Sequence, residues 1–123
     1  MNIPKQVEIV EVSPRDGLQA VWLQRVAFAH ILLGENEAAL NAARRAVAAN
    51  PRYPTAYAAL AAAAGNLGRG EDARIALRSL QQTLPSATTI AAYVATLTPS
   101  DNPTYQRMFD SYAEGLRKAG MPE

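Results

Sequence analysis

Two stretches of this chain, GENEAALNAARRAVAANP at 34–51 and GRGEDARIALRSLQQTLP at 68–85, are one pattern written twice. Gly34, Ala39 and Pro51 recur as Gly68, Ala73 and Pro85, each pair 34 positions apart. The apolar positions keep the same step: Leu23 with Tyr57, Val26 with Leu60, Ala43 with Leu77 and Ala46 with Leu80. A fixed period of about 34 residues marks a helix-turn-helix unit that cannot bury its apolar face alone and so stacks on its own copies. Such stacks build binding surfaces and seldom carry chemistry. The pattern therefore predicts an all-α fold, a stack of helical hairpins.

Working outward, the spacing predicts a first helix from about Leu18 to Leu33, ended by Gly34, and a second from Glu37 to Ala49, closed by Asn50-Pro51. A third starts near Pro54 and stops around Leu67-Gly68; a fourth runs from about Glu71 to Leu84 and ends at Pro85. The two repeats thus cover about 20–53 and 54–87. The tail leaves the period. Residues 87–97 read as a short capping helix weakened by Thr88, Thr89 and Thr96, and 103–119 as a second one. In the latter Tyr105, Met108, Phe109, Tyr112 and Leu116 follow helical spacing behind a boundary at Asp101-Asn102-Pro103. This last helix is expected to cover the apolar end of the stack, as solenoids require. Residues 1–17 differ: Val7 to Val12 is β-branched and acidic and reads as a short extended arm, followed by a turn at Ser13 to Gly17.

Composition bounds the function. The 123 residues make one domain, 49% hydrophobic but only 7% aromatic, so alanine supplies much of the apolar share and favours closely packed helices. A net charge of +1 with interspersed signs gives no electrostatic footprint for nucleic acid. With no cysteine and one histidine, disulfides, thiol nucleophiles, cysteine zinc sites and His-rich metal sites are outside what the residues can build. No apolar run approaches the ~20 residues of a membrane span, and Met1 to Lys5 lacks a signal-peptide pattern. The expectation is a cytoplasmic chain with no cofactor and no membrane contact.

Residues 20–85 resemble the tetratricopeptide repeat (TPR). The small contact residues fall at Ala27, Ala39, Ala46, Ala61 and Ala73, the turn glycines at Gly34 and Gly68, and the closing prolines at Pro51 and Pro85. Trp22-Leu23 and Tyr57 stand for the large residue that opens each repeat, while Ala43 and Leu80 depart from the family pattern in compensating directions. More narrowly, Asn50-Pro51-Arg52-Tyr53, the run Gly68 to Arg74, Asp101-Asn102-Pro103 and Glu114 to Glu123 resemble the repeat-bearing C-terminal region of bacterial class III adenylate cyclase-like signalling proteins. That resemblance implies a protein-contact role in signalling and no cyclase activity. The first residues, Pro4 to Gln19, resemble the opening strand of hydroxymethylglutaryl-CoA lyase, a metal-dependent barrel enzyme. It implies that Arg15 would assist carbon–carbon cleavage and Asp16 ligate a divalent cation. A barrel of that kind needs about 200 residues or more, and no His-x-His pair or cysteine accompanies the motif. The alternative reading is therefore an inactive lyase fragment fused to a repeat domain, with Asp16 acting as a helix cap.

The resemblance lines a concave partner-binding groove with the first helix of each hairpin. The lining positions are Val21, Gln24, Phe28, Ile31 and Leu32, then Thr55, Ala58, Ala62 and Asn66 with Gly65. Gln24 and Phe28 stand where a carboxylate clamp would need Lys and Asn, so the groove suits an amphipathic helix or apolar peptide. The competing reading is that Phe28 and Ile31 are covered by the N-terminal arm or the final helix. His30 is expected packed against a neighbouring helix, and Arg44, Arg45, Arg74 and Arg78 on a solvated outer face with weak ion pairs. The apolar edge of Val7–Val12 raises the further expectation of a homodimer paired through the arm.

Overall fold

A computed structural model describes residues 18–97 and 109–123. They form helices α1 (Leu18–Leu32), α2 (Asn36–Ala49), α3 (Pro54–Asn66), α4 (Gly70–Thr83), α5 (Ile90–Leu97) and α6 (Asp110–Ala119), with no strand among the described residues. The expected arm with Arg15 and Asp16, and residues 103–108 of the expected last helix, lie outside the described residues.

The period seen in the sequence is repeated hydrogen bond by hydrogen bond. Leu33 N–H donates to the Ala29 carbonyl and Leu67 N–H to the Ala63 carbonyl, both at 3.1 Å. Gly34 donates to Ile31 at 3.0 Å and Gly68 to Gly65 at 3.1 Å; Glu35 donates to His30 at 2.8 Å and Arg69 to Ala64 at 2.9 Å. This pair of crossed bonds is the Schellman motif, which satisfies the last carbonyls of a helix and needs a left-handed residue at its centre. Gly34 and Gly68 supply it, with φ of +77° and +75°. At the other end of each unit, Asn50 N–H donates to Ala46 and Leu84 N–H to Leu80 before Pro51 and Pro85 stop the helix. The fold class is therefore the expected one: α1–α2 and α3–α4 are successive helical hairpins.

Packing follows from the alanines. Eight residues of α3, among them Ala58, Ala61, Ala62, Ala63, Ala64 and Gly65, are buried, so this helix is covered on all sides. It packs against α1, α2, α4 and α6. The amphipathic α2 and α4 bury Ala39, Ala43 and Ala46, and Ala73, Leu77 and Leu80, at equivalent places. Arg69 to Glu37 at 2.5 Å and Arg44 to Asp72 at 3.6 Å tie the second hairpin to the first. All four side chains are exposed, so each pair contributes at most about 1 kcal/mol. Arg44, Arg45, Arg74 and Arg78 are exposed, as expected of an outer face.

Two boundaries differ from the sequence reading. The last helix, expected to run through Phe109, begins at Asp110 with Phe109 as the residue before it. α5 begins at Ile90, three residues later than expected, because Thr89 serves as its cap: Thr89 Oγ1 accepts from Ala92 N–H at 3.0 Å. Pro122 and Glu123 close the same end, Ile90 N–H donating to the Pro122 carbonyl at 2.7 Å and Ala91 N–H to Glu123 at 3.1 Å.

Candidate helix-binding groove

The first helices of the two hairpins, α1 and α3, share a face rich in small side chains, and α6 lies on it. α6 packs mainly on α3 and also reaches α1, α4 and α5. The contact with α3 is backbone on backbone. A Cβ on Gly65 would stand 2.1 Å from the Gly115 carbonyl oxygen, and one on Gly115 would stand 2.2 Å from the Ala62 carbonyl oxygen. Neither atom would fit, so glycine at both positions sets how closely the helices approach. Asn66 Nδ2 adds a hydrogen bond to the Ser111 carbonyl at 3.2 Å and a second to Asn36 Oδ1 at 3.2 Å.

The aromatic end of α6 meets α1. Phe28 lies 5.2 Å from the ring of Phe109 and 5.3 Å, edge-on, from that of Tyr112. Tyr112 is fully buried and its hydroxyl meets that of Tyr93 on α5 at 3.2 Å. Burial pushes the Tyr93 phenol up to about 12, against a smaller opposite pull from hydrogen bonds to Tyr112 and Thr55. Burial, aided by the neighbouring Tyr93, also holds the Tyr112 phenol well above its ordinary value. Both tyrosines therefore stay neutral and serve as hydrogen-bonded wedges between helices.

These contacts decide where the expected groove residues stand. Phe28, Ala62 and Asn66 are brought together, and α6 covers them; Ile31, Ala58 and Ala62 have no exposed surface. Thr55 faces Tyr93 of α5. Gln24 is buried, with 8% exposure, while Val21 and Leu32 stay half-buried. The open apolar groove is thus corrected to a groove filled in cis, which is the competing reading that the sequence left available. The last helix covers this inner face as well as meeting α4. At the first turns of α6 the fit is incomplete: a polar cleft of about 420 Å³ runs between Asn36, Asn66, Asp110, Ser111, Glu114 and Lys118.

His30 also departs from expectation. It is not packed away: its side chain is 31% exposed and its Nδ1 lies 2.7 Å from the Glu35 carboxylate. The Schellman turn brings these side chains together, so the signal lay in the turn glycine and not in helical spacing. The second pair that the sequence reading missed, Gly65 and Gly115, left a visible trace as glycines within helical stretches, where each costs about 1 kcal/mol unless something needs it. Among the described residues, no group of three or more His, Cys, Asp or Glu side chains is placed to hold a metal ion, and no helix is long and apolar enough to cross a membrane. Comparison of the chain with family models, with curated proteins and with solved structures gives no match.

Proposed function

We propose that this chain is a TPR-like protein-interaction module whose α1–α3 face receives a helix, working as a scaffold or adaptor in bacterial signalling. The single observation that carries the reading is the seat of α6: the hairpin stack builds a face of Ala62, Gly65 and Phe28 on which a helix rests with its backbone in contact. A surface of small residues backed by rigid hairpins is suited to helix-in-groove recognition, in which a few anchors carry the energy and the rest is complementarity. The signalling context rests on the resemblance of Gly68 to Arg74 and Glu114 to Glu123 to cyclase-associated repeats. The lyase alternative rests on Arg15 and Asp16 alone, both outside the described residues.

The test is photo-crosslinking. A photoreactive residue at Val21 or Leu32, half-buried positions of α1 expected to line the groove, is placed in the full chain and exposed to lysate of the cells that make it. One stoichiometric partner is expected to crosslink from these positions and not from Arg45 or Arg78 on the outer helices. Crosslinks from the outer face alone, or none, would contradict the reading.

A further inference from the structure

One side of α1 is apolar and, among the described residues, open. Trp22 is 52% exposed and Leu33 71% exposed; Ala29 is exposed between them and Val26 is half-buried. At helical spacing these four share one side of α1, opposite the buried Gln24 and Ile31 of the inner face. The second hairpin shows what that side does when a helix precedes it. Moved on by 34 positions, the four become Ala56, Leu60, Ala63 and Leu67 of α3. None of these is exposed, and Ala56 and Ala63 are fully buried. Ala56 shares a cluster with Ala46 and Val47 of α2, the helix that comes before it. α1 has no helix before it among the described residues, so the surface that α3 buries between hairpins is left open on α1. A helix that is apolar all round calls for cover on all sides.

We propose that the chain covers this surface itself: residues 7–12 fold back along α1, in the place that a preceding hairpin would take. Three observations choose this occupant. The first is where the chain outside the described residues ends. It joins α1 at Leu18, and the turn residues 13–17, with Pro14 and Gly17, stand between to reverse its direction. The second is length. Residues 7–12 extended at ~3.3 Å per residue span about 16 Å, and so does α1 from Trp22 to Leu33 at ~1.5 Å per residue. An antiparallel alignment sets Val12 beside Trp22 and Val7 beside Leu33, and brings Glu11 level with Arg25. The third is charge. Arg25 is exposed on this side and makes no ion pair among the described residues, while the arm carries Glu8 and Glu11. α1 has no acidic residue of its own, so the α1 of a second copy would bring no answer to that cation. The arm then ends the stack on this side, a cap of the kind that solenoids need.

The chain has no cysteine, so a pair introduced into the full chain reports this contact alone. Leu33 and Arg78 are both exposed, and changing either leaves the core intact. On mild oxidation, Val7→Cys with Leu33→Cys is expected to close an intramolecular disulfide at least tenfold faster than Val7→Cys with Arg78→Cys. Trp22 is the chain's single tryptophan and gives a second readout. Quenching of its fluorescence by acrylamide is expected to rise at least twofold when Ile9 and Val10 are both changed to Asp. Equal closure of the two cysteine pairs, or quenching that the Ile9→Asp, Val10→Asp chain leaves unchanged, would overturn the proposal. Disulfide-linked dimers in place of the closed monomer would overturn it too, since a second copy would then be the occupant.

Discussion

Gly34 and Gly68 do one job at two places 34 residues apart. Each takes a φ near +75° with open space where a Cβ would go, so backbone conformation alone demands glycine. An L-residue in that left-handed conformation costs about 1–2 kcal/mol. Gly34→Ala and Gly68→Ala are therefore expected to destabilise the chain by about that amount and by nearly equal amounts, with Asn costing less. Urea midpoints at constant slope measure this. A loss at one site and none at the other would show that the two hairpins do not share one turn. Gly65 and Gly115 are a different kind of glycine: their need comes from a neighbouring backbone, not from their own dihedral angles. That difference explains why the sequence announced the role of the first pair and showed of the second only two glycines within helical stretches. A turn glycine has a local signature, whereas the contact of residues 50 positions apart depends on a register that only the packed helices define.

At the scale of elements, α5 and α6 are joined by the hydroxyl pair of Tyr93 and Tyr112. Burial raises both phenols, that of Tyr93 to about 12. Below pH ~10, the ordinary phenol range, tyrosines are protonated in both the folded and unfolded states and no stability depends on their titration. Between pH ~10 and about 12 the unfolded chain loses these protons while the folded pair retains them, so stability falls as pH rises. Holding the Tyr93 phenol at about 12 rather than its ordinary value corresponds to a loss on the order of 2–3 kcal/mol across that window. Thermal unfolding between pH 8 and roughly 11.5 should show this slope, and replacing both residues by Phe should flatten it. Equal slopes in the two proteins would place the tyrosines in contact with water. Tyr112 and Leu116 of the last helix were legible as helical spacing, whereas Phe109 stands before its first turn. The partner of Tyr112 on α5 was not legible, since Tyr93 sits in a segment whose threonines argued against helix until Thr89 proved to be its cap.

For the whole molecule, the period of 34 carried the architecture because the repeat is held by features close in sequence: a turn glycine, small contact residues and a closing proline. Of the expected lining of the inner face, Phe28, Ala62 and Asn66 converge under α6. What covers them was not legible, because two occupants were compatible with the same apolar pattern. The choice between them turned on the fit of Gly115 over Ala62. The stack of two hairpins thus holds α6 on its inner face through that contact.

The most direct test is a nuclear Overhauser measurement on the isotopically labelled full chain. Cross-peaks are expected from the Gly115 Hα protons to the Hα protons of Ala62 and Gly65, accompanied by peaks between the rings of Phe28 and Tyr112. Gly115 cross-peaks confined to α6 itself, with Phe28 seeing only its own hairpin, would contradict the seating of α6 in the groove.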